Sequence, residues 1–301
     1  MKRLTIVYVA GSGRSGSTLL DRALGSISGV GSLNEANEIF EQGYLWNRTC
    51  ACGQSFSDCL FWQQVMQRTL LEQQPASVID WAQQFDRSRV FPRLYWDVLT
   101  SGNRRKLNEY RTVLQRFFNA VAEESGADVL VDSSKIPTRA LVLAGMPDVD
   151  LYVVHLVRDP RAVAYAWNRE KHDPGRGERM DRYPLWRTMT YWAGRQMLSN
   201  LLSRRLPAIR VRYEDFAAAP ENELVRIASF VPPLSGRHIP IAEGRVLHLG
   251  PIHTLSGNPD RFAHGRTVIK IDERWRESSM LPRLQRAFLM VGPLARRYGY
   301  V

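Results

Sequence analysis

The sequence predicts an α/β fold, an open, doubly wound and mostly parallel sheet flanked by helices, and three observations carry the prediction. Four short, β-branched apolar runs recur along the chain, each is followed by a helix-compatible segment, and the first such junction is a glycine loop of phosphate-binding type. The runs are "TIVYVAG" (5–11), "ADVLVDSS" (127–134), "DLYVVHLVRD" (150–159) and "AIRVRYEDF" (208–216), with helices expected over 16–25, 137–144, 160–170 and 220–230. Such alternation implies right-handed βαβ units. With 301 residues, 44% hydrophobic and 24% charged, the chain suits one domain spanning 1–301.

The first run opens on a basic start and then an apolar stretch, "MKRLTIVYVAGSG", as a signal peptide does. The stretch is short and passes straight into the glycine loop, so a first strand and a cytoplasmic protein are expected. No apolar run reaches the ~20 residues that cross a bilayer. The net charge of +11 favours anionic partners: nucleic acid, a membrane surface or a polyphosphorylated small molecule. The cations are scattered, with no lysine-rich tail, and many are arginines suited to bidentate grip on phosphate. Nucleic acid is therefore not the expected partner.

In the first loop Gly11 and Gly16 enclose four residues, and Thr18 stands where a Walker A threonine would. A strand precedes the loop and a helix follows it, the context in which backbone N–H groups and a helix N-terminus cradle an anion. Ser17 occupies the place of the lysine that serves nucleoside triphosphatases, and Arg14 lies inside the loop instead. ATPase chemistry also needs a strand-end aspartate for Mg²⁺, and Asp132 or Asp159 stands ready for that role on sequence alone.

Between the first two long runs lies an insertion of helical character, about 35–125, rich in Gln, Arg and aromatic residues at mostly helical spacing. The segment 170–184, "EKHDPGRGERMDRYP", is charged and Gly/Pro-bearing and reads as a loop that can lie over a site as a lid. Region 232–267 is expected to be loop-dominated. Cys50, Cys52 and Cys59 are the three cysteines. An odd count argues against a disulfide framework, and a zinc site lacks a fourth ligand, since no histidine is near in sequence; no metal is expected.

"GSGRSGSTLL" near the start, "VDSSKIP" (131–137), "HLVRDPRAVAYAW" (155–167), "VRYEDFAAAPENEL" (211–224) and "HTLSGNPDRF" (253–262) occur in the order found in PAPS-dependent sulfotransferases, which the chain resembles over almost its whole length. The likeness is strongest to the bacterial branch that shares features with tyrosylprotein sulfotransferases. It implies a P-loop-type fold with the insertion after the first βα unit. It also implies 3′-phosphoadenosine-5′-phosphosulfate (PAPS) as donor, 3′,5′-ADP (PAP) as product, no metal, and a hydroxyl acceptor on a small molecule, lipid or glycan. On this resemblance Gly13, Arg14, Ser15, Gly16, Ser17 and Thr18 hold the 5′-phosphate, and Arg14 with Lys135 meets the oxygen bridging phosphorus and sulfur. Arg158 matches the 3′-phosphate arginine, Tyr213 the adenine contact and Arg261 the basic residue of the C-terminal cofactor loop, where it is expected to share the 3′-phosphate, and Ser256 is expected to contact the 5′ side of the cofactor. The serine that usually assists the arginine is replaced by Ala166. No histidine stands at the place of the cytosolic enzymes' base; Glu35 falls where tyrosylprotein and heparan-type relatives carry a glutamate, with Glu38 in reserve.

From the residues themselves, the loop, Lys135, Arg158 and Tyr213 all fall just past predicted strand ends, the rim where open α/β sheets bind ligands. Arg158 has a competing reading as a salt bridge to Asp159 or Glu214, and Tyr213 as a packed sheet-edge ring. Asp132 is expected to orient its loop, and Ser133 or Ser134 to cap the following helix. The acceptor pocket is expected from the insertion, 170–184 and 232–267. Trp46, Phe56, Trp62, Trp96 and Tyr183 suit an apolar acceptor there, and core packing explains them equally well.

Overall fold

A computed structural model describes residues 3–170, 172–173, 178–179, 181–242 and 245–301. The central sheet has five strands, β1 (Leu4–Gly11), β2 (Val30–Ser32), β3 (Val129–Lys135), β4 (Val149–Val157) and β7 (Ala208–Arg212), in the order β2-β3-β1-β4-β7. Every neighbouring pair runs parallel. Parallel strands covered on both faces need apolar side chains on both, and every residue of β1 and β3 is buried. Ile6, Tyr8 and Ala10 of β1 face one core and Val7 and Val9 the other, the two-residue alternation of a strand.

The three long strands begin within two residues of the expected positions, and the helices α1 (Ser17–Leu24), α7 (Pro137–Ala144), α8 (Pro160–Asn168) and α11 (Pro220–Phe230) follow as expected. Two features differ. The edge strand β2, three residues with a central Gly31, is too short to leave a periodic signal. The last expected strand stops at Arg212, and α10 (Tyr213–Ala218) begins at once, its first turn carrying Glu214 and Asp215, acids that suit a helix N-terminus.

The insertion is helical as expected: α2 (Ile39–Tyr44), α3 (Leu60–Leu70), α4 (Pro75–Phe85), α5 (Phe91–Trp96) and α6 (Ser101–Ser125). Its aromatics form the core on the Ile6 face, where Trp62 stacks on Phe117 at 6.2 Å. A buried polar knot ties it to the sheet. Arg139 of α7 donates Nε to Asp132 Oδ2 (2.9 Å) and Nη1 to Asp86 Oδ2 (2.8 Å), and the Tyr110 hydroxyl donates to Asp86 (2.8 Å).

After α8 come a short antiparallel pair, β5 (His172–Asp173) with β6 (Glu178–Arg179), and the long α9 (Leu185–Leu202). The supposed lid, 170–184, lies in part outside the described residues. Region 232–267 holds more order than expected: β8 (Ile241–Ala242), β9 (Val246–Leu249) and β10 (Gly265–Val268) form an antiparallel sheet. The chain ends in α12 (Leu281–Phe288) and α13 (Gly292–Arg296). No described helix is long and apolar enough to cross a membrane.

Candidate active site at the carboxyl rim of the sheet

A cavity of about 500 Å³ opens where β1, β3 and β4 end, the rim at which the strand order reverses. Its wall includes Gly13, Arg14, Gly16, Ser17, Thr18, Glu35, Lys135, Arg158, Tyr213 and Ser256. Seven lysines and arginines line it against four acidic residues. An anion is therefore the fitting occupant.

The loop after β1 reaches the cavity through backbone that few residues adopt. Gly16 has φ 89°, and a Cβ there would stand 2.4 Å from the Tyr213 ring. No side chain caps the start of α1, so its first-turn N–H groups stay available at the cavity wall formed by Gly16, Ser17 and Thr18. Ser15 turns inward instead, its hydroxyl donating to the Ser12 carbonyl (2.7 Å). Arg14 has φ 62°, its guanidinium 4.8 Å from the Trp167 ring centre, and Nη1 donates to Asn258 Oδ1 (3.4 Å).

Lys135 also has a left-handed backbone, φ 63°, at the irregular end of the β1–β3 ladder. Its Nζ donates to Glu35 Oε1 (2.8 Å) and to the Ser133 carbonyl (2.7 Å). Glu35 is held from below. Asp21 of α1 accepts from the Asn34 N–H (3.2 Å) and from the Ser32 hydroxyl, and Asn34 O accepts from the Ser133 N–H (2.7 Å). Burial of Asp21 raises its carboxyl to about 7, against the hydrogen bond from Ser32 that lowers it. Glu38 points elsewhere: it accepts from Gln42 Nε2 (2.9 Å) and the Ser256 hydroxyl (3.2 Å) and is not on the cavity wall.

Arg158 is 6% exposed and spans the far side of the loop, donating Nη1 to the Arg14 carbonyl (3.1 Å). Its guanidinium lies 4.3 Å from the Tyr213 ring centre, and its Nε has no hydrogen-bond partner. Its ion pair is with neither Asp159 nor Glu214 but with Asp272 (3.3 Å). Asp159 pairs instead with Arg161 (2.7 Å) and caps α8, while Glu214 accepts from the Asp159 N–H and the Tyr300 hydroxyl. Burial would raise the Asp272 carboxyl, but hydrogen bonds and charge from Arg274 and Arg158 outweigh it and hold it at about 2.

Three expectations are corrected or narrowed. Neither Ser133 nor Ser134 caps α7; the Ser134 hydroxyl donates to Asp132 and accepts from the Asn37 N–H (3.1 Å), so the pair braces the Glu35 segment. Arg261 is not on the cavity wall; it is buried behind it, donating Nη1 to the Gly257 carbonyl (3.0 Å). Among the aromatics, Trp62 and Phe56 are core, Trp46 and Trp96 are exposed away from the cavity wall, and Tyr183 lies behind two lining residues, its ring 4.9 Å from Trp167 and its hydroxyl donating to Asp181 (3.1 Å). Trp167 and Asp272 were not singled out from sequence. The first lies at the end of the "HLVRDPRAVAYAW" motif, the second far from any motif.

Residues 7–232 match the model of the sulfotransferase family. The chain belongs to that family. Among solved structures it is similar to the sulfotransferase domain from the Synechococcus PCC 7002 olefin synthase, at 19% identity and a TM-score of 0.52, covering 100% of this chain and 96% of that one. It is also similar to the sulfotransferase domain from the curacin biosynthetic pathway, at 16% identity and a TM-score of 0.48, covering 97% and 98%. No curated protein matches it in sequence. At such identity the first neighbour speaks for the sulfotransferase fold alone.

Proposed function

We propose that this sulfotransferase moves the sulfuryl group of PAPS to a hydroxyl of a small-molecule, lipid or glycan acceptor by in-line displacement, releasing 3′,5′-ADP and a sulfate ester. One observation carries the reading: a single cavity presents the loop 13–18 and Arg14, the Lys135–Glu35 pair, and the Arg158–Tyr213 pair. The residues present fit the donor. Gly16 leaves room against the Tyr213 ring, Arg14 lies in the loop with Arg158 bonded to its carbonyl, and the Arg158 Nε is buried without a partner. When bound, the donor supplies an activated sulfuryl group on a phosphate leaving group.

The chain's own residues do the rest. Backbone N–H groups of the loop, with Ser17 and Thr18 hydroxyls, hold the 5′-phosphate. Arg158 holds the 3′-phosphate without the serine replaced by Ala166, its buried guanidinium kept over Tyr213, whose ring flanks the adenine. Glu35 accepts the acceptor's proton as the new S–O bond forms, while Arg14 and Lys135 stabilise the charge left on the departing phosphate oxygen. Lys135 thus both aims Glu35 and meets the leaving group, and Ser133 O keeps its Nζ in place as the Glu35 contact gives way to substrate.

A phosphate-transferring enzyme working on Mg²⁺–ATP is disfavoured by the same geometry. Asp132 is buried and engaged by Arg139 and Ser134, and Asp159 by Arg161, so neither strand-end carboxylate is placed to serve a divalent ion. Calorimetric titration tests the reading. Tighter binding of 3′,5′-ADP than of 5′-AMP, or of ATP without Mg²⁺, is expected by roughly tenfold or more, as a second charge-assisted site implies. Preference for ATP, strengthened by Mg²⁺, would overturn it.

A further inference from the structure

Folding brings the histidine that the cysteine cluster lacks in sequence. His253, about two hundred residues downstream, enters beside Cys50, Cys52 and Cys59, and the four ligand atoms lie within 4.8 Å of one another. Cys52 Sγ and Cys59 Sγ are 3.7 Å apart, and His253 Nδ1 is 3.3 Å from Cys59 Sγ and 3.7 Å from Cys50 Sγ. A tetrahedral zinc with Zn–S of ~2.3 Å and Zn–N of ~2.1 Å has ligand–ligand edges of about 3.6–3.8 Å. We propose that Cys50, Cys52, Cys59 and His253 form a closed, structural Zn²⁺ site.

The surroundings are built for it. Cys50 and Cys59 are buried in the core on the Ile6 face. Phe61 stacks on the His253 ring at 4.4 Å and 7°, fixing its plane. Between the first two cysteines and the third the backbone forms a tight knuckle: the Gly53 N–H donates to Cys50 O and the Cys50 N–H to Gln54 O, both at 2.8 Å, with Gly53 at φ 93°. Four protein ligands leave no open position, which distinguishes a structural zinc from a catalytic one. The three cysteines are free thiols, so no disulfide competes in this arrangement.

The ion's purpose follows from what it joins. Cys50, Cys52 and Cys59 sit in the insertion, between α2 and α3, whereas His253 opens the segment whose Ser256, Gly257 and Asn258 line the cavity. Other bonds join these parts, among them the Ala51 N–H to Thr254 O (2.9 Å) and the Ser256 hydroxyl to Glu38 (3.2 Å). Zinc therefore pins the cavity's C-terminal wall to the insertion. The site stands independently of which donor the enzyme uses.

Metal analysis of the untagged full chain, after extensive dialysis, is expected to return one zinc per chain. The apo-protein prepared with a strong chelator is expected to melt at lower temperature and to take up Co²⁺ with thiolate charge-transfer bands and the intense visible bands of a tetrahedral site. Cys52→Ser and His253→Ala are expected to weaken Zn²⁺ by roughly tenfold or more, as loss of even supporting groups does at such sites. If these variants do not fold, the Co²⁺ spectrum of the unaltered chain still decides. A folded, metal-free protein that develops no Co²⁺ spectrum overturns the site, and so does a native mass two hydrogens short that marks a Cys52–Cys59 disulfide.

Discussion

Arg14 and Lys135 both take the left-handed backbone conformation, with φ 62° and 63°, at two places on the wall of the same cavity. For residues with a Cβ this costs on the order of 1–3 kcal/mol, a strain that persists only where surrounding contacts over-determine it. Here they do: Lys135 is held by Glu35 and Ser133 O, and the Arg14 carbonyl by Arg158. Roles then separate in measurement. Arg14→Ala and Lys135→Ala are expected to lower kcat by roughly 10²–10³, the loss of one donor to a developing oxyanion. Glu35→Gln is expected to lower kcat by about 10²–10⁴ while the Kd for 3′,5′-ADP stays within about twofold. Arg158→Ala is expected instead to weaken 3′,5′-ADP by roughly tenfold or more, the worth of a charge-assisted bond. Equal losses of turnover with unchanged affinity in Arg14→Ala, Lys135→Ala and Arg158→Ala would contradict this division.

At the scale of elements, the β1–α1 turn and the polar knot behind β3 govern the site from opposite sides. Gly16→Ala would drive a methyl group into the Tyr213 ring from a positive-φ position. It is expected to abolish measurable 3′,5′-ADP binding in calorimetry while thermal unfolding stays cooperative; undiminished affinity would show that the turn is not the phosphate cradle. Asp86→Ala leaves buried Arg139 with one carboxylate rather than two and is expected to cost about 3 kcal/mol in urea unfolding. The turn was legible in sequence because its chemistry is local, a glycine spacing between a strand and a helix. So were Lys135 and Arg158, each at the end of an apolar run. Asp272 and His253 were not. Each is a single polar residue in an irregular stretch, and its meaning comes only from the side chains that folding sets beside it, Arg158 in one case and the cysteine cluster in the other. Ser134 misled for a related reason. A serine before a helix is a fair cap on local rules, but the buried Asp132 carboxylate took its hydroxyl.

Over the whole molecule, two buried groups on either side of the sheet bias stability against pH in opposite senses. His155 of β4 hydrogen-bonds Gln196 of α9 (2.5 Å), and burial lowers its ring to about 4 from an ordinary 6.5. Between those values the unfolded chain holds the proton and the folded one does not, so this term is present above pH 6.5 and lost as pH falls through 4. Asp21 behaves inversely. With a folded value of about 7 against an ordinary 3.8, the folded chain holds the extra proton, so its term is present at low pH and lost as pH rises through 7. The two slopes partly cancel in the unaltered protein, and a pH–stability profile alone hides both. Asp21→Asn removes one of them. Relative to the unaltered chain, the variant is expected to gain about 3 kcal/mol between pH 5 and pH 8 in urea unfolding, whatever its absolute stability. A difference that stays constant across that range would mean that Asp21 is already ionised in the folded state. The Ser32–Asn34 segment supporting Glu35 would then rest on a buried carboxylate anion rather than on a shared proton.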